Sequence, residues 1–304
     1  MAGKNSSKKP RKIFIIILAI VIISVAGTCI TMKILFPGIS FPGAASFKTV
    51  TSSVNAFSYE PAKIEPGTVY HYVKSNIDGS KPADVTIFVS SDEHLEVFKI
   101  YPGSNATFYV TADMDWEVFS PKALDGYEIY KDGSRKLIMH AELSKEKNEY
   151  TYNNGKDQYS VPIGHFPMHN YNFDLTSLNF TFRQLTNPKS DFSVGIHYPA
   201  FDLVHFVKFV YTGQVNIKYL SDEIRNMVTC RKYEIGGEGF ANKTGTVWVN
   251  KDKGYIEDIE IPLADNPSWN SFKLKLTSVE VMSQDAWNSY IITQSKEYFD
   301  KLGK

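Results

Sequence analysis

Cysteine is almost absent from this chain of 304 residues, which contains only Cys29 and Cys230. Cys29 lies in a long apolar run, so Cys230 is the single cysteine of everything that follows that run. A framework of intramolecular disulfide bonds is therefore excluded, even in an oxidising compartment. The fold has to be stabilised by an apolar core, and the 20 Phe, 18 Tyr and 4 Trp residues make that core aromatic.

A basic excess is also missing after the N-terminal region. Residues 37–304 carry 27 Lys and Arg against 33 Asp and Glu, which gives a net charge of −6. Domains that bind nucleic acid usually present a basic face, so the composition argues against a nucleic-acid partner.

No charged residue occurs between Lys12 and Lys33. As a helix, the twenty residues between them would be about 30 Å long, which matches the hydrocarbon core of a bilayer. Five basic residues and no acidic residue precede the run, so the positive-inside rule places the N-terminus in the cytoplasm. The sequence predicts a single-pass protein of the cell (inner) membrane, with a basic cytoplasmic tail at 1–12 and a transmembrane anchor at 13–36. The rest of the chain is then extracytoplasmic.

A cleaved signal peptide is the alternative interpretation of the same run. The apolar region of a signal peptide usually has about 7–15 residues, and this run is longer. The small residues Gly43, Ala44 and Ala45 resemble a cleavage site but lie far beyond the apolar run. We favour the uncleaved anchor, and N-terminal sequencing of the mature protein distinguishes the two.

Turn-forming and periodic residues divide the remaining chain. Pro-Gly pairs predict a stalk at 37–66, and short segments with alternating apolar residues predict an extracytoplasmic antiparallel β domain at 67–283. A helix at Gln284–Phe299 is predicted within the C-terminal segment 284–304.

Three local features refine this division. Asn154-Gly155 predicts a tight hairpin with a type I′ turn. The apolar parity of the last strand switches near Thr277, which predicts a β-bulge. Apolar residues at helical spacing predict a helix at 175–185, with Asp174 as its N-cap and Pro188 after its end.

Candidate catalytic and metal-binding groups are few. His165 and His169 are four residues apart, but Pro167 between them is incompatible with a regular helix, so we interpret them as structural loop histidines. Asp258 and Glu260 share one face of a predicted strand and are interpreted as a solvated exterior pair. The sequence therefore predicts no catalytic residue, no metal site, no cofactor and no enzyme activity.

The second half carries a series of short motifs. They are Phe173-Asp174-Leu175-Thr176-Ser177-Leu178, Phe182-Arg183-Gln184-Leu185, Thr229-Cys230-Arg231-Lys232-Tyr233-Glu234 and Val247-Trp248-Val249-Asn250-Lys251-Asp252 with Gly254. In this order the motifs resemble an uncharacterised bacterial periplasmic family with a lipoprotein-carrier-like half-barrel fold. The resemblance implies a mainly β fold, in which a strongly curved antiparallel sheet holds a helix on its concave face. In carrier relatives that face also holds an acyl chain.

A half-barrel with one helix leaves room for an apolar trough, because a single helix does not cover the whole concave face. The residues predicted to line the trough are Leu178, Phe182, Phe206, Val207, Phe209 and Trp248. The leading hypothesis is a membrane-anchored, extracytoplasmic, non-catalytic domain that binds an apolar or amphipathic, lipid-like ligand. The alternative is an interaction or scaffold ectodomain of an envelope complex, with an envelope protein as its partner and a filled core.

Overall fold

The structure, a computed structural model, describes residues 50–202, 205–264 and 268–303. All of these residues belong to one compact unit, Pro42–Lys304. The predicted tail, the predicted anchor and the first part of the predicted stalk lie outside the described residues. None of the helices within the described ranges has the length and apolar character needed to cross a bilayer.

Strands dominate the described residues, as the alternating pattern predicts. The strands are β1 (Thr51–Ser52), β2 (Thr68–Ser75), β3 (Ala83–Val89), β4 (His94–Ile100), β5 (Thr107–Asp115), β6 (Ser120–Ile129), β7 (Arg135–Ser144), β8 (Glu149–Asn153), β9 (Gln158–Pro162), β10 (His165–Phe166), β11 (Met168–Asn170), β12 (Phe192–Asp202), β13 (His205–Arg225), β14 (Val228–Gly236), β15 (Thr244–Asn250), β16 (Ile256–Ile261) and β17 (Phe272–Val281). Two α-helices accompany them, α1 (Leu178–Arg183) and α2 (Gln284–Lys301).

Fifteen strands form one sheet in the order β11-β12-β13-β14-β15-β16-β17-β2-β3-β4-β5-β6-β7-β8-β9. Every neighbouring pair is antiparallel except β11 and β12, which are parallel. The remaining strands, β1 and β10, form a separate parallel pair. The predicted mainly β, antiparallel sheet is confirmed.

The sheet curls until its two ends meet through side chains. The hydroxyl of Tyr159 on β9 accepts a hydrogen bond from the backbone N–H of Phe209 on β13, at 3.0 Å. Nε2 of His197 on β12 donates to the carbonyl of Pro162 on β9, at 3.1 Å. No ladder joins these ends, so the described sheet remains an open barrel.

The inner face of the sheet carries the main core. In β17, Phe272 and Leu274 are buried there. The pairing with β2 shifts between Leu276 and Ser278, which confirms the predicted bulge. Helix α1 lies on this inner face, and its apolar side chains belong to the same cluster.

Helix α2 covers part of the outer face. Its residues Trp287 and Ile291 pack against Val69, Phe88 and Phe98, which alternate with the inward residues of their strands. The hydroxyl of the N-cap Ser283 accepts from the N–H of Ala286, at 3.2 Å. The predicted C-terminal helix is confirmed and extends two residues further than expected.

The predicted helix at 175–185 is shorter in the structure, because α1 begins only at Leu178. Asp174 is not its N-cap: Asp174 and Leu175 adopt left-handed backbone angles, with φ of 49° and 61°. The carboxylate of Asp174 instead bonds the ammonium of the buried Lys74 and accepts from the hydroxyl of Tyr101, at 3.0 Å. This distant ion pair holds residue 174 outside the helix.

The hairpin at Asn154-Gly155 also differs from its prediction. The loop between β8 and β9 has four residues, Asn154–Asp157, and φ is positive only at Gly155. The amide oxygens of Asn153 and Asn154 accept from backbone N–H groups within the loop, at 2.8–3.0 Å. These Asx-type bonds stabilise a wider turn than type I′.

Candidate functional site

Among the described residues, the chain's own side chains pack across the concave face. Leu178 and Phe182 of α1, both predicted to line a trough, are buried in the core. The ring of Phe182 packs against Tyr233, at 4.9 Å between centroids, and edge-on against Phe192, at 5.5 Å. These two trough candidates act as core residues in this structure.

A small cavity remains beside α1. Its volume is about 10 Å³, which is at the lower limit for one water molecule. It is lined by Met114, Phe119, Pro121, Pro167, Met168, His169, Ser177, Leu178, Thr181 and Val194. Pockets for small organic ligands usually measure about 300–1,000 Å³, so an acyl chain needs side chains to move before it can enter here.

The other trough candidates are not brought together with α1. Phe209 is buried and stacks on Tyr152, at 5.2 Å between centroids, whereas Phe206 is 43% exposed. The side chain of Val207 lies outside the described part of the chain. Trp248 faces the outer side of the sheet, because its neighbours Val247 and Val249 take the inward positions of β15.

Trp248 belongs to a charged cluster on the outer face. The guanidinium of Arg225 lies over its ring, at 4.2 Å from the centroid, and the indole N–H donates to Glu223, at 2.6 Å. Arg225 also donates to Asp258 and Glu260, both at 2.7 Å. Each acidic group of the cluster has a cationic or N–H partner, and Oδ1 of the buried Asp258 is left without a hydrogen bond among the described residues.

The expectation that Asp258 is solvated is wrong. Its side chain is buried beneath Arg225, and this burial raises the pKa of its carboxyl above the ordinary value. Alternation along β16 placed Asp258 and Glu260 on one face correctly. Alternation does not show that the β13–β14 hairpin brings Arg225 over that face.

Asp174 lies in a second buried cluster between β2 and β4. Burial alone would raise the pKa of Asp174, but the ammonium groups of Lys74 and Lys99 outweigh burial and hold the pKa below its ordinary value. Lys99 also donates to the backbone carbonyl of Asn172, at 2.7 Å. The cluster fixes the chain just before α1.

Three buried histidines hold the inner segments. Nε2 of His165 donates to the carbonyl of Ser193, at 3.1 Å, and Nδ1 pairs with the hydroxyl of Thr51, at 2.6 Å. His169 pairs with the hydroxyl of Ser177, and His197 pairs with that of Tyr152. Burial lowers the pKa of His169 to about 3 and that of His197 to about 4, so both are neutral near pH 7. Among the described residues, no group of three His, Cys, Asp or Glu could hold a metal ion.

The sequence did not predict that a segment before β2 packs on the inner face. Residues 50–64, which we call the strap, belong to the predicted stalk but pack into the domain. Phe57 and Ile64 are buried. The ring of Phe57 lies between Phe119, at 5.1 Å, and Phe192, at 5.2 Å. The prolines and glycines around the strap led to the prediction of a stalk. The apolar residues Val54, Ala56 and Phe57 were the sequence signal for packing into the domain.

The C-terminal end of α1 binds the strap through main-chain atoms. The N–H of Ser58 donates to the carbonyl of Gln184, at 2.9 Å, and the N–H of Thr186 donates to the carbonyl of Ala56, at 3.0 Å. The side chain of Gln184 accepts from the N–H of Glu60, at 2.8 Å, and donates to the carbonyl of Glu60, at 3.2 Å. The main-chain bonds form an isolated antiparallel β-bridge between Phe57 and Leu185.

The chain matches no protein-family model and no curated protein sequence. Among solved structures, it is similar to a β-barrel-like protein of a domain of unknown function from Brucella abortus, with a TM-score of 0.40 and 9% identity over 71% of this chain and 97% of that one. A second structure, from Bacteroides fragilis with a YmcC-like fold, has a TM-score of 0.26 and 13% identity over 74% of this chain and 99% of that one. The resemblance to a periplasmic, carrier-like family stays a prediction.

Proposed function

We propose that this chain is a membrane-tethered, extracytoplasmic, non-catalytic interaction domain. The observation that supports the proposal is the packing of α1, the strap and the inward side chains of the sheet in one described core, around a cavity of about 10 Å³ beside α1. The anchor at 13–36 and the extracytoplasmic location enter from the charge pattern of the sequence.

A lipid-like ligand is the second candidate, and the packing of α1 weakens it. An acyl chain on the concave face would have to displace rings that already pack against each other, such as those of Phe182 and Phe192. Well-packed interiors resist the insertion of extra volume. The apolar-ligand hypothesis therefore requires a second, open conformation.

The clearest candidate contact surface is the tip of the β13–β14 hairpin. The pairing of β13 with β12 ends at Ile217, and the rest of β13 pairs only with β14 among the described strands. Ile224 is 77% exposed and Met227 is 97% exposed. These two exposed apolar side chains make the tip our candidate contact surface.

The turn at this tip supports a role for Met227. Asn226 and Met227 both have positive φ, of 52° and 65°, which is the arrangement of a type I′ turn. Gly or Asn fits such a position, whereas Met at positive φ costs about 1 kcal/mol or more. Because Met227 is strained and almost fully exposed, its side chain does not stabilise the fold. We infer that it contacts another molecule.

The first experiment tests for a bound ligand. Residues 50–304, purified without detergent, should show no co-purified lipid by native mass spectrometry and no binding of a fluorescent fatty-acid analogue. A stoichiometric lipid on the folded protein would contradict the filled-core proposal and favour the apolar-ligand hypothesis.

The second experiment tests the contact surface in the intact chain. A photo-reactive amino acid at Ile224 should give one discrete crosslinked adduct in cells, and the same group at the exposed Lys147 should not. Met227→Gly preserves the turn but removes the side chain, so it should abolish that adduct. An adduct that persists in this variant would exclude the tip as the contact.

A further inference from the structure

At the end of α1 the strap is bound through its backbone. Five hydrogen bonds to residues 183–186 use main-chain atoms of Ala56, Ser58, Glu60 and Lys63. Phe57 and Glu60 have extended backbone angles between two 3₁₀ turns, Val54–Ala56 and Pro61–Lys63. Contacts to the backbone of an extended segment accept many sequences. The end of α1 therefore presents the chemistry of a peptide-binding site.

Two aromatic side chains give the site its selectivity. Phe57 fills the gap between Phe119 and Phe192. Tyr59 stacks flat on Trp116, at 5.0 Å between centroids, and its hydroxyl donates to Asp92, at 3.0 Å. An extended chain brings residues i and i+2 to one side, so the site selects two aromatic residues separated by one position.

The strap lies outside the fifteen-stranded sheet. It contributes no strand to the fifteen-stranded sheet, and its only strand, β1, pairs over two residues. It joins β2 through Pro66 and Gly67, where Gly67 has a φ of 88°. Release of the strap breaks the two-residue β1–β10 pairing and the bonds between Ser53 and Ser193, but no ladder of the large sheet.

We infer that the groove formed by residues 183–186, Trp116, Phe119 and Phe192 is a recognition site for an extended peptide with two alternating aromatic residues, and that the strap occupies this site in cis. A partner segment of the same chemistry competes with the strap. The contact is autoinhibitory because the site binds the partner only when the strap leaves. The inference goes beyond the hairpin tip, since neither surface requires the other.

The test uses the full chain in lipid nanodiscs and a fluorescent synthetic peptide with the sequence of residues 53–64. Phe57→Ala weakens the strap in cis, so this variant should bind the peptide at least tenfold more tightly than the wild type. Glu60→Ala is the matched control, because Glu60 contacts the groove only through its backbone. It should bind the peptide as weakly as the wild type does.

Two further changes test the geometry. A peptide whose Phe is replaced by Ala should bind the Phe57→Ala protein at least tenfold more weakly. The double variant Phe57→Ala/Gln184→Ala should also bind the unchanged peptide at least tenfold more weakly than Phe57→Ala does. A folded Phe57→Ala protein that melts cooperatively and ignores the peptide would overturn the inference.

If Phe57→Ala does not fold, hydrogen exchange of the wild type tests whether the strap leaves its site. The amides of Ser58 and Glu60 should exchange at least a hundredfold faster than the ladder amide of Val97 in β4, through opening that leaves the sheet intact. Exchange of these strap amides only by global unfolding would show that the strap does not leave its site and would refute the proposal.

Discussion

Cys230 shows how burial controls a single residue. Its side chain is buried on β14, and burial raises the pKa of its thiol to about 11. Because the thiolate is the nucleophile, a pKa about two units above the ordinary value lowers the reactive fraction roughly a hundredfold.

We therefore expect Cys230 to be inert in the folded protein. In a Cys29→Ser variant, where Cys230 is the only thiol, maleimide should modify the chain slowly in buffer and rapidly in concentrated urea. Equal rates in both conditions would show that β14 does not bury this thiol.

The buried histidines predict how stability depends on pH. The pKa of His169 is lowered to about 3 and that of His197 to about 4 in the folded state, whereas an unfolded histidine titrates near 6.5. Between about pH 4 and 6.5 the unfolded chain binds more protons, so the free energy of unfolding should fall as the pH falls. The slope is about 1.4 kcal/mol per pH unit for each histidine.

Urea unfolding at several pH values measures this slope. His197→Gln should reduce the slope by about 1.4 kcal/mol per pH unit, the contribution of one proton. The control is His140→Gln, because the side chain of His140 is partly exposed and pairs with Asp125. An unchanged slope in His197→Gln would mean that the ring is protonated inside the fold.

At the scale of elements, α1 and the β12–β13 hairpin separate the trough candidates into two classes. Phe182→Ala removes a buried ring and should cost about 3–5 kcal/mol. Phe206→Ala removes an exposed ring and should cost less than about 1 kcal/mol. Chemical denaturation of both variants measures the difference, and similar small losses would indicate that α1 borders open space.

Helix α2 is attached to the outer face by one large anchor. Trp287 is fully buried, stacks on Phe88 at 5.2 Å, and donates from its indole N–H to the buried Glu96, at 2.5 Å. Trp287→Ala should cost about 3–5 kcal/mol and leave Glu96 with one donor fewer.

Ile292, which is half exposed on the same helix, is the control for that substitution. Ile292→Ala should change the free energy of unfolding by no more than about 0.5 kcal/mol. If both variants melt alike, α2 is not docked through Trp287.

At the scale of the whole molecule, the curled sheet determines what the concave face can do. Its ends meet at Tyr159, Phe209 and His197, and the strap and α1 occupy the space between them. In a β-sandwich a second sheet would cover the inner face. Here α1 and the strap supply that cover.

The sequence by itself determined the features that depend on short-range periodicity. Alternation of apolar residues over five to ten positions identifies the strands. A one-residue change of that alternation locates the bulge near Thr277, and helical periodicity identifies α2. These predictions succeeded because neighbours within a few residues decide which side of a strand or helix is apolar. The anchor at 13–36 rests on the same kind of local pattern and lies outside the described residues.

Only the tertiary structure decided which groups meet. Arg225 over Asp258, Lys74 beside Asp174 and Gln184 on the strap join residues separated by 33, 100 and 124 positions. No local pattern encodes these distances, because curling and pairing of the whole sheet set them. For the same reason the concave face, which the sequence left open as a trough, is filled by a segment that local composition marks as a stalk.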